Sequence, residues 1–146
     1  MSSRSPSSVK TECNQAKADF FDSQAQSAWA AAEYSEQERS RIFQVLEKLP
    51  DLRGNTVLEP GCGTGRLSRI LSSQVGSQGL VIAMDISPKM IQAARENLQE
   101  TNNVYLCCSA LESMKLPLGE VDVVFCHQVF PHFDCKKTAL AKMSRS

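Results

Sequence analysis

The chain has 146 residues, enough for one domain with its own hydrophobic core. Hydrophobic residues make up 42% of it and charged residues 22%, which is typical of a globular protein and not of a disordered one. Sixteen basic residues balance sixteen acidic ones, so the net basic field of most nucleic-acid-binding proteins is absent and we expect no nucleic-acid partner. No apolar run reaches the roughly 20 residues needed to span a bilayer, so we expect no membrane partner either.

The N-terminus and the cysteines favour a cytoplasmic protein. The first dozen residues are polar and rich in serine, with no apolar stretch of the kind found in secretory signals. The chain has six cysteines at irregular spacing, which indicates reduced thiols in an intracellular protein.

Four possible zinc ligands, Cys126, His127, His132 and Cys135, fall within one short segment. Structural zinc sites usually take their ligands as two compact pairs on turns, whereas Cys126 ends a β-branched apolar run. We therefore favour free thiols at these positions and predict no metal site.

The N-terminal third is predicted to contain a tail and two helices. Residues 1–18 are polar and are predicted to form a flexible tail. Residues 19–50 carry apolar side chains near helical spacing and are predicted to form the N-terminal helices. Ser35 and Glu38 have the spacing of a capping box that begins the second helix, and Pro50 ends it.

The remaining segment, residues 51–146, alternates between strand and helix patterns. The predicted strands cover residues 56–58, 80–84, 104–108 and 121–126, one intervening helix ends at Gly76, another runs from Pro88 to about Glu100, and Lys136 to Arg145 is a last helix. Such alternation requires parallel strands with right-handed crossovers. The predicted fold class is therefore α/β, with a doubly wound parallel sheet preceded by N-terminal helices.

A glycine-rich turn, Glu59-Pro60-Gly61-Cys62-Gly63-Thr64-Gly65, separates the first strand from the following helix. Small residues let a ligand approach the backbone, and the start of the helix offers free N–H groups. Asp85 ends the second strand about twenty residues later, where a carboxylate can accept hydrogen bonds from ribose hydroxyls. The pattern predicts a nucleotide-type ligand.

One alternative is a nicotinamide-dependent oxidoreductase. The dinucleotide-binding pattern Gly-x-Gly-x-x-Gly, counted from Gly61, requires a glycine where Arg66 stands. The carboxylate of Glu59 would also repel a pyrophosphate, whereas it suits a cationic ligand that carries an ammonium or sulfonium group. The sequence favours the cationic ligand.

Three segments carry a resemblance to a known family. Val57–Leu67 resembles the first motif of class I S-adenosylmethionine (SAM)-dependent methyltransferases, and Ala83–Ile91 is similar to their second-strand motif. Val121–Phe130 resembles their fourth strand and active-site loop. The resemblance extends from about Thr56 to the end of the chain. It implies a Rossmann-like enzyme that transfers a methyl group from SAM to a small-molecule or protein acceptor.

The resemblance also implies roles for individual residues. The three glycines of the turn would line the methionine and ribose parts of SAM, Glu59 would assist its amino end, and Asp85 would hold its ribose. Ile86 would pack on the adenine, and Ser109 stands where relatives usually have an acidic residue, which implies a weaker hydrogen bond. The implied cofactor-binding residues are Glu59, Gly61, Cys62, Gly63, Gly65, Asp85, Ile86 and Ser109.

A candidate general base follows the fourth predicted strand. Methyl transfer requires a base only when the acceptor must lose a proton. His127 and His132 lie where open α/β sheets place ligands, and His132, between Pro131 and Phe133, is the predicted catalytic residue. The alternative for both is an ordinary loop or core histidine.

The length of the chain suggests a further alternative. The family resembled here has a sheet of seven strands, whereas four strands are predicted before Ser146. We therefore expect the C-terminal strands to be missing. A shortened, non-catalytic form that binds a partner through an exposed sheet edge remains a second possible function.

Overall fold

A computed structural model describes residues 15–23, 33–110, 113 and 120–126. Residues 15–23 are helical and are named α1 here. Residues 15–18, which were predicted to belong to the flexible tail, are therefore part of a helix, and Ala18 is buried. The predicted C-terminal helix and the expected loss of C-terminal strands concern residues 127–146, which lie outside the described residues, and both stay predictions.

Helices and strands alternate along the described chain. They are α2 (Glu36–Glu47), β1 (Thr56–Pro60), α3 (Arg66–Val75), β2 (Leu80–Asp85), α4 (Pro88–Asn97), β3 (Val104–Cys108) and β4 (Val123–Val124). The sheet has the order β3-β2-β1-β4, and every neighbouring pair is parallel. The predicted α/β fold with a parallel sheet is confirmed. Within the described ranges, no helix is both long and apolar enough to cross a bilayer.

The starts of α2 and α4 follow from local capping. The Ser35 hydroxyl accepts a hydrogen bond from the Glu38 backbone N–H (3.1 Å), and the Glu38 carboxylate accepts one from the Ser35 N–H (2.8 Å). At α4 the Ser87 hydroxyl accepts from the Met90 N–H (3.1 Å), and Pro88 occupies the first helical position. Helix α4 ends at Asn97, a few residues before the predicted end.

Both faces of the central strand β1 are buried. In β1, Val57 belongs to an apolar cluster with Ile42 of α2 and Leu71 of α3. The adjacent Leu58 points to the opposite face and belongs to a second cluster with Met84 and Val121. Alternate residues of one central strand thus fill two cores, as expected for a strand buried on both sides.

Strand β4 is shorter than predicted, and its start is fixed by a side chain. The Asp122 carboxylate accepts a hydrogen bond from the Thr56 N–H (2.8 Å), while the Asp122 N–H donates to the Thr56 carbonyl (2.9 Å). Beyond the strand, the Phe125 N–H donates to the Leu58 carbonyl (2.9 Å). These bonds hold β4 beside β1 and place Cys126 at the carboxyl end of the sheet.

Candidate functional site

The candidate site lies where the chain order of the sheet reverses. Strand β1 has β2 on one side and β4 on the other, so the order of the strands along the chain reverses at β1. Open α/β sheets bind their ligands at this kind of switch point. The turn formed by residues 61–65, called the glycine turn below, begins there.

Backbone hydrogen bonds fix the shape of the glycine turn. Gly61, Gly63 and Gly65 have φ angles of 69°, 56° and 87°, which side-chain-bearing residues rarely adopt. The Cys62 N–H donates to the Met84 carbonyl (2.9 Å), and the Gly65 N–H donates to the Cys62 carbonyl (3.0 Å). The turn is therefore held by β2 as well as by its own residues.

Two of the glycines meet different surroundings. A Cβ atom added to Gly63 would have no heavy atom within 4 Å, so this position faces open space. A Cβ atom added to Gly65 would lie 2.9 Å from Leu98 Cδ1 and 3.4 Å from Ala94 Cβ. Gly63 therefore leaves room for a ligand, whereas Gly65 lets the start of α3 pack against α4.

The side chain of Cys62 does not face the candidate site. It is buried in the same apolar cluster as Val57 and Leu67, and burial raises the pKa of its thiol well above the ordinary value. Of this predicted site residue, only the backbone is available to a ligand.

Asp85 joins the end of β2 to the glycine turn. Its Oδ2 accepts a hydrogen bond from the Gly63 N–H (2.9 Å), and its Oδ1 accepts one from the Ser87 N–H (2.9 Å). Burial raises the pKa of the Asp85 carboxyl, although these backbone hydrogen bonds oppose the shift by stabilising the charged form. The Ile86 N–H also stabilises the charged form, so backbone groups hold the Asp85 carboxylate at both oxygens.

Glu59 is the most buried acidic side chain of the site, with 2% of its surface exposed. The Ser68 hydroxyl donates a hydrogen bond of 2.5 Å to Glu59 Oε2, and among the described residues this is the hydrogen-bond partner of the carboxyl group. Burial raises the pKa of Glu59 from 4.5 to about 8, with a further contribution from the nearby charge of Asp85, while the Ser68 hydrogen bond lowers it. At neutral pH the isolated site therefore holds Glu59 mainly in its protonated form.

Ile86 and Ser109 follow the paired ends of β2 and β3. Asp85 pairs with Cys108 in the β2–β3 register, and the Ser109 N–H donates to the Asp85 carbonyl (2.9 Å). The Ser109 hydroxyl donates to the Ala110 carbonyl (3.1 Å). Both predicted residues are half-buried next to Asp85, so the structure places them at the same end of the sheet as the glycine turn.

Two residues were not predicted to lie near Glu59. The Tyr34 ring lies 4.4 Å from the guanidinium carbon of Arg66, at the start of α3. Burial raises the pKa of Tyr34 to about 12; Arg66 opposes this shift and Glu59 adds to it. At the end of β4, burial and the carboxyl of Glu59 raise the pKa of Cys126 to about 11. Only the folded chain brings these distant positions together, so no local pattern could reveal them.

The remaining sequence predictions fall partly outside the described ranges. His132, the predicted catalytic residue, lies outside them, as do His127 and Cys135. In the described part of the chain no three metal-ligating side chains cluster together. The cysteines described there, Cys62, Cys107, Cys108 and Cys126, are free thiols.

Comparison with known proteins finds methyltransferases among the relatives of this chain. A demethylmenaquinone methyltransferase of Lactococcus lactis is 34% identical over 83 residues, covering 56% of this chain and 33% of that protein. A tRNA (adenine) methyltransferase of Methanocaldococcus jannaschii is 49% identical over 45 residues, covering 31% of this chain and 16% of that protein. This chain thus spans a third or less of the length of these two relatives.

A solved structure shows the same architecture. A SAM-dependent methyltransferase from Aquifex aeolicus superposes with a TM-score of 0.66 at 30% identity, covering 70% of this chain and 56% of that one. These relatives are methyltransferases, so the comparisons do not support the nicotinamide-dependent alternative.

The family model described as "Methyltransferase domain" matches residues 57–146. This range includes the glycine turn, the carboxyl groups of Glu59 and Asp85, and the segment after β4. The chain therefore belongs to the methyltransferase-domain family, as its resemblance to class I SAM-dependent methyltransferases predicted.

Proposed function

We propose that this chain binds SAM at the glycine turn and acts in methyl transfer. The observation that carries the proposal is the arrangement around Gly63. Open space lies there beside the Asp85 carboxylate, which accepts a hydrogen bond from the Gly63 N–H, and near the buried carboxyl of Glu59. A ligand with a ribose diol and a cationic amino acid end complements these groups. A dinucleotide pyrophosphate would instead meet the carboxylate of Asp85.

The residues present fit the parts of SAM. The Asp85 carboxylate, at the end of β2, is an acceptor that suits ribose hydroxyls. Glu59 suits the ammonium end, because a nearby cation favours the ionised form of a carboxyl whose burial otherwise keeps it protonated. Ile86 offers an apolar surface for the adenine beside Ser109. When bound, SAM supplies an activated methyl group, and the protein's part is to hold it in line with the acceptor and exclude water.

The acceptor is proposed to be a small molecule or a protein. One of the relatives is a tRNA methyltransferase. The neutral net charge of this chain is therefore no reason to exclude a nucleic acid as the acceptor. His132 remains the proposed general base for an acceptor that must lose a proton. A shortened form that retains cofactor binding without transfer remains the second candidate function, because the chain spans only part of its relatives.

Calorimetric titration of the full 146-residue chain with S-adenosylhomocysteine and with NAD tests the proposal. We expect saturable heat with S-adenosylhomocysteine and none with NAD. Asp85→Asn should weaken binding at least tenfold, because the variant loses the carboxylate offered to the ribose. The matched control is Asp51→Asn, since Asp51 is exposed and pairs with Arg53 away from the site. Binding of NAD alone, or equal binding by the Asp85 variant, would overturn the proposed site.

Transfer is tested separately from binding. The chain is incubated with SAM that carries a labelled methyl group and with candidate quinol, acyl-carrier, peptide and tRNA acceptors. Label in an acceptor, reduced in His132→Ala at neutral pH, supports an enzyme with His132 as its base. Tight cofactor binding without label in any acceptor supports the non-catalytic alternative.

A further inference from the structure

A continuous series of hydrogen bonds joins the N-terminal helix α1 to the glycine turn. Asp22 Oδ1 accepts hydrogen bonds from the Ser87 hydroxyl and from the Lys89 N–H, the latter at 3.1 Å. The Ser87 N–H donates to Asp85 Oδ1 (2.9 Å). Asp85 Oδ2 in turn accepts from the Gly63 N–H (2.9 Å). Asp22 is thus linked through Ser87 to the carboxylate that faces the open space.

Ser87 has no freedom to reorient in this arrangement. Its side chain is fully buried, and its hydroxyl accepts from the Met90 N–H (3.1 Å) while it donates to Asp22. Phe21, the neighbour of Asp22, packs against Met90, and Ala18 is buried one turn earlier. Helix α1 is therefore held to the start of α4 by apolar contacts as well as by Asp22.

The charge of Asp22 also reaches the candidate site. The titratable groups that act on or respond to Asp85 within the described residues are Asp22 from α1, Glu59 from β1, Cys62 in the glycine turn and Cys108 from β3. Each of them is an acid, so Asp22 adds negative potential and raises the pKa of Asp85. Asp22 is thus both a hydrogen-bond acceptor at the start of α4 and a source of negative potential at Asp85.

We propose that Asp22 is a positioning residue for Asp85, which it orients toward the cofactor through Ser87, so that helix α1 forms part of the cofactor-binding unit. The inference rests on the proposed function. It assigns a role to a residue that precedes the matched family region, which begins at residue 57.

The test compares three variants of the full chain by calorimetric titration with S-adenosylhomocysteine. Asp22→Ala removes the acceptor of the Ser87 and Lys89 hydrogen bonds and should weaken binding about tenfold. Asp22→Asn keeps an acceptor oxygen and should recover most of that loss at neutral pH. The matched control is Asp19→Ala, because Asp19 lies on the same helix, is exposed and accepts a hydrogen bond from Gln15. The control should bind as the wild type does.

The pH dependence of binding separates positioning from simple structural support. Removing the charge of Asp22 lowers the pKa of Asp85, so the acid limb of the binding profile of Asp22→Asn should move to lower pH. Wild-type affinity in Asp22→Ala would overturn the inference. If Asp22→Ala does not fold, an unmoved acid limb in Asp22→Asn overturns it instead. Failure of the wild type to bind would overturn the proposed function and not the role of Asp22 alone.

Discussion

Gly63 and Asp85, which lie 22 residues apart, are joined by a hydrogen bond of 2.9 Å between the Gly63 N–H and Asp85 Oδ2. The bond connects the turn that follows β1 to the end of β2. The same carboxylate accepts a hydrogen bond from the Ser87 N–H at its other oxygen. The Asp85 side chain therefore joins the glycine turn, the end of β2 and the start of α4. A substitution at Gly63 that keeps this bond should therefore affect ligand binding more than folding.

Gly63→Ala tests this expectation. The φ angle of 56° is strained for alanine, at a cost of about 1 kcal/mol to the free energy of unfolding, but the new methyl group contacts no protein atom. It instead occupies the space proposed for the cofactor, so affinity for S-adenosylhomocysteine should fall at least tenfold. Gly54→Ala is the matched control, because Gly54 has a φ of 78° and open surroundings away from the site. Equal affinity in both variants would contradict a ligand at Gly63.

Gly65→Ala should act mainly on stability. Its Cβ would lie 2.9 Å from Leu98 Cδ1 at a φ of 87°, so strain and overpacking add together. We expect the free energy of unfolding to fall by about 2–4 kcal/mol, measured by urea denaturation. A loss no larger than that of Gly54→Ala would show that the contact with α4 is relaxed without cost.

Burial of Glu59 predicts a pH dependence of folding. Its pKa is about 8 in the folded chain and near 4.5 when exposed, so the folded state retains a proton that the unfolded state has lost between these values. Stability from this group is complete below about pH 4.5, falls as the pH rises to 8, and changes no further above that. The raised pKa of Asp85 acts in the same direction. Melting temperatures measured from pH 5 to 9 should decline, and Glu59→Gln should decline less; an equal decline in both would contradict the assignment.

The same carboxyl predicts proton release on cofactor binding. At pH 7 a group with a pKa of about 8 is roughly nine-tenths protonated, and an arriving ammonium or sulfonium cation favours its ionised form. Binding enthalpies in phosphate and Tris buffers should therefore differ by the ionisation heat of up to about one proton. Glu59→Gln should show little buffer dependence. Identical buffer dependence in wild type and variant would place the released proton elsewhere.

Local signals predicted much of the fold and part of the site. The Ser35–Glu38 capping box, the Pro88 helix start and the parallel alternation depend on nearby residues, and the structure contains all three. The glycine turn and Asp85 were recognisable because their spacing is fixed by one strand and one helix. These features need no knowledge of distant contacts.

The rest depends on packing between distant segments. The sequence could not show that Cys62 points into the core while its neighbour Gly63 faces open space. The approach of Tyr34 to Arg66 and of Asp22 to Ser87 joins segments separated by 32 and 65 residues. The β-branched run before Cys126 predicted a longer strand, whereas Asp122 replaces part of the ladder with a side-chain bond.

The close packing of Leu98 against Gly65 offers a way to alter the glycine turn without changing the turn's own sequence. Leu98 and Ala94 lie next to Gly65, whereas a Cβ atom added to Gly63 would have no protein atom within 4 Å. A small combinatorial library at these two positions would change the packing next to Gly65 without replacing any residue of the proposed cofactor site. The library can be screened with synthetic cofactors that carry alkyl groups larger than methyl.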